Sequence, residues 1–161
     1  MNNNDILKGS HRLRKGRVSW SGCFYFISSA KARNAPTLDN TACFQVIRSE
    51  LDRLETEGLW EWMAVVVMPD HLHMVIRLGE GADLSRAMNL FKGRSSSRIN
   101  QGRYTKGPVW FRGFHDHLIR LDQPIPNFLK YILQNPVDAH LATLPSDWPY
   151  LLVIPNAYDM L

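Results

Sequence analysis

Two strand-like runs, Leu59 to Met68 and His71 to Leu78, meet at Pro69 and Asp70, and no other stretch constrains the fold of this chain as strongly. Proline followed by aspartate makes a tight corner, and the flanking runs are rich in Val, Trp, Met and Ile, so together they read as a β-hairpin. The second run, "HLHMVI", carries His71 and His73 two residues apart. Side chains at that spacing point to one face of a strand and stand roughly 7 Å apart along it.

The rest of the chain supplies partners for this hairpin. Val18 to Ala30, "VSWSGCFYFISSA", is strand-like, with Gly22 marking a bulge. "KARNAPTLDN" is a loop, after which Cys43, Val46, Ile47, Leu51 and Leu54 recur at helical steps. That helix runs from about residue 40 to Glu57, with Gly58 as its stop. Beyond "GEG", a second helical stripe of Leu84, Ala87, Met88, Phe91, Ser95 and Ile99 follows Asp83 as cap. "PVWFRGFHDHLIRL" reads as a fourth strand, and "IPNFLKYILQNP" as a third helix that begins and ends at a proline. The proline-broken tail is expected to lie over the surface.

Strand, helix, strand, strand, helix, strand is the order of an α+β, ferredoxin-like (RRM-like) βαββαβ fold with an antiparallel sheet, here with an added C-terminal helix. Its first and third strands are central, so the histidine-bearing strand is expected inside the sheet. A chain of 161 residues with 45% hydrophobic content can bury one core, which implies a single domain over 1–161. The core is placed at about 18–144, with a basic arm at 1–17 and a tail at 145–161. No run approaches the roughly 18 apolar residues of a membrane span, and the start has no apolar stretch of signal-peptide type. A cytoplasmic protein without membrane partners is expected. Cys23 and Cys43 lack metal-site spacing and are expected as reduced core thiols.

Net charge is only +4, but its distribution is uneven. Arg12, Arg14, Lys15 and Arg17 form one basic cluster; Lys92, Arg94, Arg98, Arg103, Lys106 and Arg112 form another with no acid until Asp116. A solvated helix face normally mixes signs, so the second block points to a polyanion such as a nucleic-acid backbone. Trp110, Phe111 and Phe114 offer rings for stacking on extruded bases, against the alternative that one alternating face of this strand packs into the core.

Two imidazoles on one face of an apolar central strand can converge on a metal ion, although each can instead be satisfied by a hydrogen bond. A pair does not complete a site, so a third ligand has to come from elsewhere. His115 and His117 in "FHDH" repeat the spacing, but on an edge strand where polar side chains can face water. On the third helix, Ile125, Phe128, Leu129 and Ile132 mark the buried stripe; Tyr131 lies off it, with Asn135 one turn further on the same side. Pro136 disfavours helical geometry at Asn135 and places it at a helix end.

Taken together, "VVVMPDHLHMVI", "LFKGRSSSRIN", "GPVWFRGFHDHLIR" and "YILQNPVDAHL" in this order resemble the single-tyrosine HUH transposases, most closely the REP-associated tyrosine transposases. The likeness spans about Val18 to Leu144. It implies a metal-dependent enzyme that cleaves and joins single-stranded DNA bearing hairpins through a 5′-phosphotyrosine. His71 and His73 then match the metal ligands and Tyr131 the nucleophile; Asn135 takes the place of the third ligand, with Gln134 a weaker substitute. Mg or Mn is the expected cofactor. His140 stands where many relatives have glycine. Family members include dimers and monomers, and the sequence does not choose between them.

Two other readings compete. One is a non-catalytic nucleic-acid-binding module on an RRM-like sheet, with the histidines structural or touching phosphate. The other is a structural zinc protein.

Overall fold

The computed structural model describes residues 19–158; Val18 and the basic residues Arg12, Arg14, Lys15 and Arg17 lie outside this range. Among the described residues the strands and α-helices follow in the order β1 (Phe24–Ala30), α1 (Thr41–Thr56), β2 (Trp60–Val67), β3 (His71–Leu78), α2 (Leu84–Arg103), β4 (His115–Ile119), α3 (Ile125–Asp138), β5 (Leu151–Val153) and the short α4 (Pro155–Tyr158). The strands form one sheet in the order β4-β1-β3-β2-β5, every neighbouring pair antiparallel. The ferredoxin-like arrangement is therefore present, with β1 and β3 at its centre.

The period-two pattern of β3 divides the protein into two cores. Leu72, Met74 and Ile76 face α1 and α2 and pack with Ile27, Leu51, Leu54 and Phe91, all fully buried. Val75, between the histidines and Arg77 on the opposite face, packs with Phe26, Val66 and the α3 stripe Phe128, Leu129 and Ile132. Local chemistry fixes the helix ends. The Asn40 side chain accepts from the Cys43 N–H at 3.0 Å to start α1, and Asp83 accepts from the Arg86 N–H at 2.7 Å to start α2. At the far end of α2, Tyr104 adopts a left-handed conformation with φ 55. For a residue with a Cβ this costs roughly 1–2 kcal/mol.

Four expectations are corrected. The first strand begins at Phe24, because Gly22 sits at φ 73 in a turn and is not a bulge; the sheet's register shift lies in β2, between Trp62 and Ala64. The fourth strand is only His115–Ile119: Gly113 at φ 87 breaks the extended run, leaving Trp110 in an isolated bridge to Lys31. The third helix runs through Pro136 to Asp138, with the proline ring buried, so Asn135 stands inside the last turn. The tail does more than cover the surface, since Leu151–Val153 pair with β2 as a fifth strand.

Trp110 is also corrected as a DNA-stacking residue. It is 4% exposed, its ring lies 5.8 Å from that of Phe91, and its indole N–H donates to Ser95 Oγ at 2.9 Å. No ring face is left for a base. Both cysteines are free thiols, Cys43 buried and Cys23 partly so. Among the described residues no helix is long and apolar enough to cross a membrane.

Candidate active site

β3 delivers His71 and His73 to the face that α3 covers. Their ring centroids are 4.6 Å apart in an edge-on arrangement. His71 is half-buried, and its Nδ1 lies 2.7 Å from Asp70 Oδ1. That carboxylate accepts the Nδ1 proton, which leaves Nε2 as the ring atom able to bind a ligand. His73 is buried, and its Nδ1 has no hydrogen-bond partner. A buried, unpartnered ring nitrogen is costly in an apolar setting, and such an atom is most simply explained by a ligand it has yet to meet.

The His73 ring stacks on Phe26 at 5.2 Å and meets Tyr131 edge-on at 5.3 Å, while Phe26 and Tyr131 touch at 5.6 Å. Phe26 is thus an aromatic floor shared by the candidate ligand and the candidate nucleophile. Asn135, one helical turn beyond Tyr131 on α3, is close enough to the phenol to act on its titration, so histidine, tyrosine and amide gather in one group. Gln134, one residue earlier, is exposed and does not share this group. Among the described residues no three His, Cys, Asp or Glu side chains converge. A metal at the histidine pair would need its third protein ligand from an amide.

Two titrations characterise the site. Burial raises the Tyr131 phenol, the neighbouring Asn135 amide opposes this, and the charge of Asp138 adds to it. The phenol is therefore protonated at neutral pH. His73 is pushed down from 6.5 to about 3, first by burial and then by the neighbouring His71. It is neutral, the form that binds metals. The unfolded chain takes up a proton near pH 6.5 that folded His73 refuses, so its contribution to stability is complete above 6.5 and is lost as pH falls toward 3. Urea midpoints of metal-free protein are expected to fall between about pH 7 and about pH 5, by up to about 1.4 kcal/mol per unit from this group. Replacing His73 by phenylalanine should remove that part of the slope; an unchanged slope would show that His73 titrates normally.

The second histidine pair faces the same way. His115 lies opposite Ser28, which lies opposite His73, so the two histidines share one row at two strand spacings, about 10 Å. His115 is exposed on the edge strand. His117 instead serves the fold, since its Nε2 donates to Gln123 Oε1 at 3.0 Å and its ring stacks on Phe128 at 5.6 Å beneath α3.

The basic block is divided by the fold. Arg94 Nη1 binds both Glu57 oxygens at 2.9 Å, and Arg98 Nη1 binds buried Glu50 at 2.8 Å and Ser49 at 2.9 Å. Lys92 donates to the Phe111 and Gly113 carbonyls at 2.7 and 2.6 Å. Acids absent nearby in sequence come from α1 and its C-cap in space, and these three residues tie elements together on the face away from His73. Arg103 donates to the Thr37 carbonyl at 3.3 Å, while Lys106 and Arg112 are exposed. Arg112 adjoins the sheet edge near the histidines, because the preceding Phe111 N–H donates to the carbonyl of Ala30, the residue opposite His71. Sequence reasoning passed over Asp70 and Phe26. The first was visible only as a corner residue and the second only as one of many strand aromatics.

Comparison with known proteins finds a matching family and several similar chains. The family described as transposase IS200 like matches residues 18–135. A REP-associated tyrosine transposase of Escherichia coli (strain K12) is 28% identical over 131 residues, covering 80% of this chain and 74% of that protein. A Haemophilus influenzae protein named for the same group is 32% identical over 101 residues, 56% of this chain; the match spans only 57% of that relative's length. A solved structure of a REP-associated tyrosine transposase bound to a REP hairpin superposes with a TM-score of 0.69 at 26% identity, covering 84% of this chain and 79% of that one.

Proposed function

The chain belongs to the IS200-like transposase family, and from that premise we propose that it nicks and rejoins single-stranded DNA beside REP-type hairpins through a covalent bond to Tyr131. The observation that carries this reading is the edge-on contact of Tyr131 with His73, which brings candidate nucleophile and candidate ligand together.

The residues fit a divalent ion, Mg or Mn. His73 has an orphaned nitrogen, Asp70 orients His71, and Asn135 offers an amide oxygen. Bound there, the ion supplies Lewis acidity to the scissile phosphate. The protein's own part centres on Tyr131, whose protonated hydroxyl is a poor nucleophile until it gives up its proton during attack. An amide suits position 135 because its oxygen can face a cation while its N–H donates to the developing phenolate; a carboxylate has no donor. Attack by the Tyr131 oxygen forms a phosphotyrosine at the 5′ side and releases a 3′-hydroxyl. Since one phosphodiester replaces another, a second 3′-hydroxyl can reverse the step without an external energy source. Lys106 and Arg112, both exposed, would meet the DNA backbone.

The direct test is a hairpin oligonucleotide with single-stranded flanks, incubated with the protein and Mn or Mg and run on a denaturing gel. Labelled at the 3′ end it should yield a protein-linked band, and labelled at the 5′ end a free, shortened fragment. Binding with neither product across several hairpins would sink the enzymatic reading and favour a binding module.

A further inference from the structure

Tyr104 is anomalous in three respects. It holds a left-handed backbone at φ 55, where glycine would be unstrained. Its side chain is 99% exposed, so no burial offsets that strain. It also lines a surface cavity of about 640 Å³ with Ser97, Asn100, Gln101, Thr105 and Lys106. A strained residue whose ring packs against nothing contributes little to folding, and such outliers concentrate at functional sites.

The chemistry of the cavity indicates what it takes. Asn100 holds the loop in shape, donating to the Gly107 carbonyl at 2.8 Å and accepting from Thr105 Oγ1 at 3.0 Å. Around that fixed frame stand an open aromatic face, the Gln101 amide and the Lys106 ammonium, which suit a base face, a base edge and a phosphate respectively. The place is equally specific. Arg103 donates to the Thr37 carbonyl at 3.3 Å, and Thr37 Oγ1 donates to the Pro69 carbonyl at 3.2 Å, next to the Asp70 that orients His71. The end of α2 is thus braced against the corner from which the histidine strand departs.

We infer that Tyr104 stacks on an unpaired base of the DNA flanking the cleavage site, which makes the end of α2 a single-strand subsite outside the catalytic group. The inference rests on the DNA-cleaving reading above. Affinity should be compared for wild type, Tyr104→Ala and Tyr104→Trp on a blunt hairpin and on the same hairpin with single-stranded extensions carrying 2-aminopurine. Tyr104→Ala should weaken binding of the extended DNA about 10-fold and lose the quenching of 2-aminopurine, with the blunt hairpin unaffected and Tyr104→Trp close to wild type. Equal affinity and equal quenching for wild type and Tyr104→Ala, in a wild type that forms the covalent product, would overturn this inference alone. A wild type that uses Tyr104 to bind extensions yet never cleaves would overturn the enzymatic reading alone.

Discussion

Tyr131→Phe is expected to abolish the covalent protein–DNA product and to reduce strand cleavage by about 10⁴-fold or more, with hairpin affinity retained. The ring contributes edge contacts to His73 and Phe26, and phenylalanine keeps both. What disappears is the half-buried hydroxyl, whose loss should change stability by about 1 kcal/mol or less. A thermal melt, a binding titration and a denaturing gel on the same preparation separate these effects. Persistence of the adduct in the phenylalanine variant would show that another side chain is the nucleophile.

His73→Phe should separate function from stability in the opposite direction. A direct ligand is expected to matter at least as much as the residues that orient ligands, so Mn affinity measured by calorimetry should fall by about 100-fold or more, and cleavage with it. Yet the variant should be the more stable protein in the absence of metal, by about 1 kcal/mol. Phenylalanine preserves the stack on Phe26 and the edge contact with Tyr131, while removing the buried nitrogen that lacks a partner. An unchanged Mn affinity would exclude His73 as a ligand. A marked loss of stability in the metal-free protein would mean that the imidazole serves the fold through its own contacts.

Much of this was legible in the chain because it depends on short-range pattern. The alternation in "HLHMVI" sets both cores and both histidines, and the stripes through Leu51 and Phe91 locate two helices whose caps, Asn40 and Asp83, are local too. What escaped is tertiary. Leu151–Val153 is too short to announce itself and becomes a strand only because β2 leaves an edge to pair with. The positive block looks unopposed along the sequence, yet Glu50 and Glu57 reach Arg98 and Arg94 from another helix. Trp110 and Phe111 are neighbours of the same type, and only the bridge to Lys31 decides that one is buried and the other exposed. Pro136 misled for a related reason: local preference argues against helix at Asn135, but burial of the proline ring in the core beneath α3 outweighs it.

The shared aromatic floor of Phe26 has a consequence for biosynthesis. His73 arrives with the β2–β3 hairpin, its supporting ring comes from a strand made earlier, and Tyr131 lies on a helix translated only after β4. No single supersecondary unit carries Tyr131 together with the histidines, so under the proposed chemistry a nascent chain would stay silent until α3 docks on the sheet. If the chain cuts DNA as proposed, this division is a safeguard at no cost in sequence: a fragment or loosened fold without a docked α3 would lack the reaction.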